Sequence, residues 1–278
     1  MMKVSDAYQF LCNELQGIYD DQEGSVISRY LLEDIFDKQF WSEELLIESE
    51  VAQLFKVAER LKKYEPWQYI GGMADFYGLK FKVNASVLIP RPETEELVYL
   101  ALDLIKKESV TSILDIGTGS GIIPITLAIK SKIQKLYGID ISKDALQTAI
   151  LNAQLHEVNI DWLHVDILDN NTWSALPKVD MIISNPPYIT TAEKPAMHPN
   201  VLDHEPHLAL FVKHDAMEFY TAIAKMVKEH QPSGCKILVE INEHYGQEVL
   251  QVFKEHGLQR LTLIQDLQGK DRVVVAIK

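Results

Sequence analysis

Cysteine is almost missing: Cys12 and Cys235 are the only two in 278 residues. They stand far apart in no metal-ligand or redox spacing, which argues against a disulfide framework and for two ordinary thiols in a reducing compartment. Long apolar runs are missing too. Asp6 and Glu14 interrupt the apolar residues near the start, where a signal peptide needs an unbroken stretch, and nothing later reaches spanning length. A cytoplasmic protein without membrane association is expected. Positive charge is scarce: 27 Lys and Arg against 40 Asp and Glu leave a formal net charge of -13. Tight nonspecific binding to nucleic acid needs surplus cations to neutralise phosphates, so a protein partner suits this balance better. Internal repeats and low-complexity tracts are absent.

What is present falls into two regions. Over residues 4–61 apolar side chains recur at helical spacing, as in Ala7, Tyr8, Phe10, Leu11 and Leu15, then Val26, Ile27, Tyr30 and Leu31, then Leu54, Phe55, Ala58 and Leu61. This predicts a small helical bundle, and it holds no cluster of catalytic side-chain types. After Pro66 two short extended pieces, 73–76 and 79–83, flank Tyr77-Gly78, which suits a hairpin leading into a second domain. The expected domains are 1–85 and 86–278. In the second, strands at 112–116, 135–140, 162–166, 179–184, 235–241, 261–265 and 272–277 alternate with helices, the pattern of a mostly parallel sheet covered on both faces. The connection between the last two is too short for a crossover helix, so they are expected to pair antiparallel.

The first of these strands runs into three alternating glycines: Ile113-Leu114-Asp115-Ile116-Gly117-Thr118-Gly119-Ser120-Gly121. Glycine permits unusual dihedrals and lacks a Cβ, so a flat ligand can lie against such a turn at the carboxyl end of a strand. The helix that follows tolerates Pro124 because it lies in the first turn. The next strand ends in Asp140, about twenty residues on, where a carboxylate can accept hydrogen bonds from both hydroxyls of a ribose. Ser142 is available to cap the following helix, which leaves Asp140 free for that role. The spacing Gly-x-Gly-x-Gly differs from the dinucleotide fingerprint and favours a nucleoside without a pyrophosphate. Asp166, with Ile167 after it, stands where a third strand would end and could bond and cover an adenine.

The fourth strand leads directly into Asn185-Pro186-Pro187-Tyr188. An amide nitrogen is a poor nucleophile because its lone pair is delocalised, so methyl transfer to it from a sulfonium depends on positioning. The Asn185 side-chain carbonyl and the Pro186 backbone carbonyl can accept the two N–H bonds of a target NH2 group and support charge developing on nitrogen. The prolines fix φ and offer no competing donors, and the Tyr188 ring can pack on the planar group. Asn185, Pro186 and Tyr188 are thus the expected catalytic set.

These residues resemble the family of peptide chain release factor glutamine N5-methyltransferases, within the wider class of Rossmann-like, S-adenosyl-L-methionine-dependent methyltransferases. The resemblance runs through Glu65-Pro66-Trp67-Gln68-Tyr69-Ile70-Gly71-Gly72, Phe76-Tyr77-Gly78-Leu79, Val87-Leu88-Ile89-Pro90-Arg91-Pro92-Glu93-Thr94-Glu95, the glycine turn, Asn185 to Tyr188, and Asp266-Leu267-Gln268-Gly269-Lys270-Asp271-Arg272. It implies an α/β fold: a Rossmann-like seven-stranded methyltransferase sheet, with a small N-terminal helical domain joined by a β-hairpin. It implies that Gly117, Thr118, Gly119, Ser120, Gly121, Asp140, Asp166, Ile167 and Asn185 surround S-adenosyl-L-methionine. Asn185, Pro186, Pro187 and Tyr188 would bind the glutamine of a Gly-Gly-Gln loop in a class I release factor, in translation termination. Arg91 and Glu93 would order the entrance, the helical domain would help dock the partner, and a monomer is expected.

Two segments depart from the family pattern. Glu205-Pro206-His207-Leu208-Ala209-Leu210 leads into Phe211 to Asp215 where a glycine-rich turn is usual, and Glu240-Ile241 is followed by Asn242 where a glycine is common. His198, His204, His207 and His214 lie in this region, but methyl transfer needs no Lewis acid and no metal is expected. Two rival readings remain: an adenine-N6 or guanine-N2 nucleic-acid methyltransferase, which the acidity opposes, and a noncatalytic adenosylmethionine-binding docking module, which the intact acceptor turn opposes.

Overall fold

The computed structural model describes every residue except Met1 and His214. The chain divides into two compact units, residues 1–73, 83–85 and 197–204 in one and residues 74–82, 86–196 and 205–278 in the other. The smaller unit is helical. Helices α1 (Val4–Glu14), α2 (Asp21–Phe36), α3 (Glu48–Leu61) and α4 (Trp67–Gly71) enclose Leu11, Leu31, Leu32, Leu54 and Leu61, and a short antiparallel pair, β1 (Met2–Lys3) with β2 (Leu45–Leu46), closes one side. Asp20 caps α2 by accepting the Glu23 N–H at 2.8 Å, and Asp37 ends it in the left-handed region. The four-residue helix α8 (Pro199–Leu202) belongs to the same unit.

The chain then passes through the hairpin of β3 (Met73–Phe76) and β4 (Leu79–Lys82). The larger unit is built on seven strands: β5 (Ser112–Ile116), β6 (Lys135–Asp140), β7 (Asp161–His164), β8 (Met181–Ser184), β9 (Lys236–Glu240), β10 (Gln259–Gln265) and β11 (Asp271–Ile277). Their order across the sheet is β10-β11-β9-β8-β5-β6-β7. All neighbours run parallel except β11, which pairs antiparallel with both β9 and β10, as the short final connection requires.

Helices cover both faces. Leu97 and Val98 of α5 (Pro92–Lys107), Ile123, Ile125 and Leu127 of α6 (Ile122–Lys130) and Ala153 of α7 (Lys143–Leu155) pack on Ile113, Met181 and Ile183. On the other face Tyr220 and Ile223 of α10 (Glu218–His230) and Val249 and Phe253 of α11 (Gly246–Glu255) pack on Leu114, Ile116 and Ile182. The short helix α9 (His207–Leu210) precedes α10. Alternate residues of β5 and β8 therefore serve opposite cores, which is why both strands are mainly apolar on both faces, Asp115 being the exception inside β5. Helix α5 starts with Pro92 in its first turn and Glu93 and Glu95 beside it, and ends with Lys106 and Lys107, charges that complement its dipole. Pro124 is accommodated in the first turn of α6.

Several strand ends differ from expectation by one or two residues, and one of them bears on the site. The third strand of the domain stops at His164, so Asp166 lies beyond it rather than at its tip. Val165 still donates to the Asp140 carbonyl at 3.1 Å, and the backbone then turns because Asp166 accepts the Asp169 N–H through its carbonyl and the Leu168 N–H through its side chain.

Candidate active site

Gly117, Gly119 and Gly121 all have positive φ, at 72°, 56° and 80°, so the turn after β5 needs glycine at each for conformation alone. The three differ in surroundings. A Cβ on Gly117 or Gly119 would meet nothing within 4 Å, whereas one on Gly121 would press on Trp162, Ala149 and Ile125 at 3.0–3.1 Å. The first two glycines leave an open face for a ligand, and the third seats α6 on its neighbours. Thr118 and Ser120 point inward and are buried.

Asp140 is joined to this turn. Its Oδ2 accepts the Gly119 N–H at 2.9 Å and its Oδ1 accepts the Ser142 N–H at 2.8 Å, while Ser142 caps α7 by accepting the Ala145 N–H at 3.1 Å. Burial pushes the Asp140 carboxyl above its ordinary range, and the N–H groups of Ser142 and Gly119 pull it back toward the ionised form. Each carboxylate oxygen keeps a lone pair, enough for a diol. Two residues earlier on β6, Gly138 leaves no room for a side chain: an added Cβ would strike the Trp162 ring at 2.4 Å. Ile167 is buried in the core, with its carbonyl accepting the Trp173 indole N–H at 2.8 Å.

The Asn185–Tyr188 turn leaves the sheet beside the glycine turn. Ser184 pairs in register with Ile116, and its hydroxyl donates to the Ile116 carbonyl at 2.7 Å, so Gly117 and Asn185 are the next residues out on adjacent parallel strands. The Asn185 Nδ2 donates to Thr94 Oγ1 at 3.1 Å. Its Oδ1 has no hydrogen-bond partner among the described residues. Asn185 and Pro187 are half-buried, Pro186 is buried, and Tyr188 packs against the core with its hydroxyl pushed well up by burial. Ile189 then pairs with the departed segment: it donates to the Leu210 carbonyl at 3.1 Å and accepts the Val212 N–H at 3.0 Å. The segment around Phe211 thus straps the exit of the turn. Asn242, in place of a glycine, accepts the His244 N–H at 3.0 Å and shapes the corner itself.

Arg91 is the N-cap residue of α5 and binds Glu205, Nη2 to Oε1, at 2.5 Å; Glu205 is buried and also accepts the Ile89 N–H. Glu93 is half-buried, and its charge, after burial itself, helps push the Glu240 carboxyl and the Tyr188 hydroxyl upward. The histidines have separate engagements. His198 caps α8, His204 bonds the Lys63 carbonyl, His207 meets Phe211 edge-on, and His214 lies outside the described residues. No grouping of three His, Cys, Asp or Glu suited to a metal occurs among the described residues.

Four residues of this region escape the motif reading. Asp115 is wholly buried below the glycine turn with neither oxygen hydrogen-bonded, and burial lifts it to about 7. Thr94 and Glu240 form a buried pair, hydroxyl to carboxylate, at 2.8 Å. Asn152 uses its whole amide: it accepts the Lys82 N–H at 2.7 Å and donates to the carbonyls of Lys82 and Ser120 at 2.9 Å each. A carboxylate inside an otherwise apolar strand was the one signal for Asp115. Thr94 and Glu240 stand within segments quoted above, but nothing in either segment marks the two as partners, and Asn152 carries no signal at all.

A model of the methyltransferase small domain matches residues 98–206. The chain is 43% identical over 232 residues to the release factor glutamine methyltransferase of Lactococcus lactis, covering 83% of this chain and 84% of the relative. The figure is 41% over 219 residues for that of Flavobacterium psychrophilum, 77% of this chain and 76% of the relative. It is 38% over 275 residues for that of Bacteroides thetaiotaomicron, 96% and 97%. Among solved structures the fold is similar to a methyltransferase from Pyrococcus furiosus, TM-score 0.52 at 13% identity over 84% of this chain and 99% of that one. It is also similar to the catalytic domain of hMettl16, TM-score 0.57 at 14% identity over 83% and 81%. At such identities the two structures speak for the fold alone, that of Rossmann-like methyltransferases. The chain belongs to the release factor glutamine methyltransferase family and is an S-adenosyl-L-methionine-dependent methyltransferase.

Proposed function

We propose that the protein methylates the side-chain amide N5 of the glutamine in the Gly-Gly-Gln loop of class I peptide chain release factors. The observation that carries this reading is the state of Asn185: its NH2 group is engaged by Thr94 and its carbonyl oxygen is left without a protein partner. A free acceptor at the end of β8, followed by a proline carbonyl, suits a planar NH2 donor. A carboxylate or hydroxyl substrate would bring no such pair of N–H bonds.

The cofactor fits the residues present. Gly117 and Gly119 offer open backbone, Asp140 keeps acceptor capacity toward a ribose, and the unpartnered Asp115 carboxylate suits an ammonium group near the turn. S-adenosyl-L-methionine, when bound, supplies an electrophilic methyl on a sulfonium. The remaining tasks fall to the chain. Asn185 Oδ1 and the Pro186 carbonyl accept the two amide N–H bonds, aim the nitrogen lone pair, and support positive charge as it develops. Tyr188 limits the plane of the amide, and Asp166 and Ile167 border the adenine. Arg91, tied to Glu205, and Glu93 hold the start of α5 at the entrance. The helical region, residues 1–85, carries no catalytic cluster and serves partner docking. The 13 excess negative charges disfavour a nucleic-acid substrate, and a protein acting on release factors would work in the cytoplasm, as a monomer. Among the described residues no helix is long and apolar enough to cross a membrane.

The test is transfer of labelled methyl from the donor to purified release factor, to DNA and to ribosomal RNA in parallel. Label in the release factor, lost when its Gly-Gly-Gln glutamine is replaced by alanine, is the expected result. Label in nucleic acid alone overturns the reading.

A further inference from the structure

Asn185 does not set its own orientation. Its carboxamide could present either oxygen or nitrogen to a substrate, because the two ends are nearly the same size. The choice is made by a buried chain of two bonds behind it. Asn185 Nδ2–H donates to Thr94 Oγ1 at 3.1 Å, and the Thr94 hydroxyl donates to Glu240 Oε2 at 2.8 Å. Thr94 is 2% exposed and Glu240 1%. Three segments meet here: the first turn of α5, the end of β8 and the end of β9, where Ser184 and Val239 pair in register just before Asn185 and Glu240.

We propose that Thr94 and Glu240 are positioning residues that lock the Asn185 carboxamide with its oxygen toward the substrate amide. A hydroxyl has a single proton. With Glu240 ionised, its carboxylate takes that proton, so Thr94 can only accept from Asn185 and the NH2 end must face it with the oxygen facing away. A flipped Asn185 would set oxygen against oxygen, or would strip a buried carboxylate of its donor. This inference rests on the reading of Asn185 as the acceptor for the target amide, and it assigns the specificity of that acceptor to residues that touch no substrate.

Replacing Thr94 separates polarity from shape. Thr94→Val keeps the volume and removes the hydroxyl; Thr94→Ser keeps the hydroxyl and removes a methyl. The expected result is a kcat lower by about 10- to 100-fold for Thr94→Val, with donor affinity and KM for release factor unchanged, and recovery to within about threefold in Thr94→Ser. A packing role predicts the reverse, with the serine variant the poorer of the two. Because Thr94→Val leaves a buried carboxylate unpaired, a second variant combines Thr94→Val with Glu240→Leu and leaves no orphan. It is expected to fold, bind donor and show the same kcat loss. Asn185→Ala serves as reference. If that variant turns over normally, the functional reading fails as well; if it is inactive while Thr94→Val or the double variant is fully active, only the locking role is overturned.

Discussion

Asp140 Oδ2 accepts the Gly119 N–H at 2.9 Å, which makes the carboxylate after β6 and the turn after β5 one hydrogen-bonded unit. The two motifs that mark the cofactor site are therefore mechanically coupled. The carboxylate holds the turn open at its middle glycine while keeping a lone pair on each oxygen for a diol.

Asp140→Ala removes both functions. Affinity for S-adenosyl-L-methionine should fall by about 10- to 100-fold, the scale of one or two hydrogen bonds to a charged acceptor. Isothermal titration of the folded variant measures it, and unchanged affinity would contradict the coupling.

Gly138→Ala acts from within β6. The new methyl would lie 2.4 Å from the Trp162 ring, a clash with a rigid side chain. Overpacking of this kind costs about 1–3 kcal/mol, so the midpoint of chemical denaturation should drop, with the Trp162 environment visibly altered by fluorescence.

Much of this was legible before any coordinates. Strands 112–116 and 135–140 coincide with β5 and β6 because each is a mainly apolar extended stretch that ends at a Gly or Asp. The Asn185–Tyr188 turn stands at a strand end because two prolines cannot continue one. The end of the third strand was misplaced by two residues, since Asp166 terminates pairing through an Asx turn that leaves no trace in apolar periodicity. What could not be read were contacts between distant segments: Arg91 with Glu205, Thr94 with Glu240, and Asn152 with Lys82 and Ser120. Such pairs depend on which helices lie over which strand ends, information that no single window of sequence carries.

Asp115 sets a stability cost that depends on pH. Its carboxyl rises from an ordinary 3.8 to about 7 because it is buried, so the folded chain binds the proton more tightly than the unfolded one. Its contribution to stability is full below pH 3.8 and is lost as pH rises through about 7. Asp115→Asn should therefore be more stable than the parent protein near pH 8, by on the order of 2 kcal/mol, with a smaller difference near pH 5, while binding the donor more weakly. Thermal unfolding at the two pH values, with calorimetry of donor binding, checks both halves.

Asn152 is wholly buried, and each polar atom of its side chain is bonded. Asn152→Ala leaves backbone groups of Lys82 and Ser120 without partners and should cost on the order of 2–4 kcal/mol. Hydrogen exchange should rise at the Lys82 amide, whose acceptor is gone; protection equal to that of the parent protein would contradict the assignment.

The most direct test of the acceptor turn is single-turnover methyl transfer by Asn185→Ala with donor and release factor both bound. The expected result is donor affinity within about threefold of the parent protein and a transfer rate lower by about 100- to 1,000-fold, the scale of losing one aimed partner of the developing charge. Transfer at the parent rate would contradict the role given to Asn185 and, with it, the mechanism built on that turn.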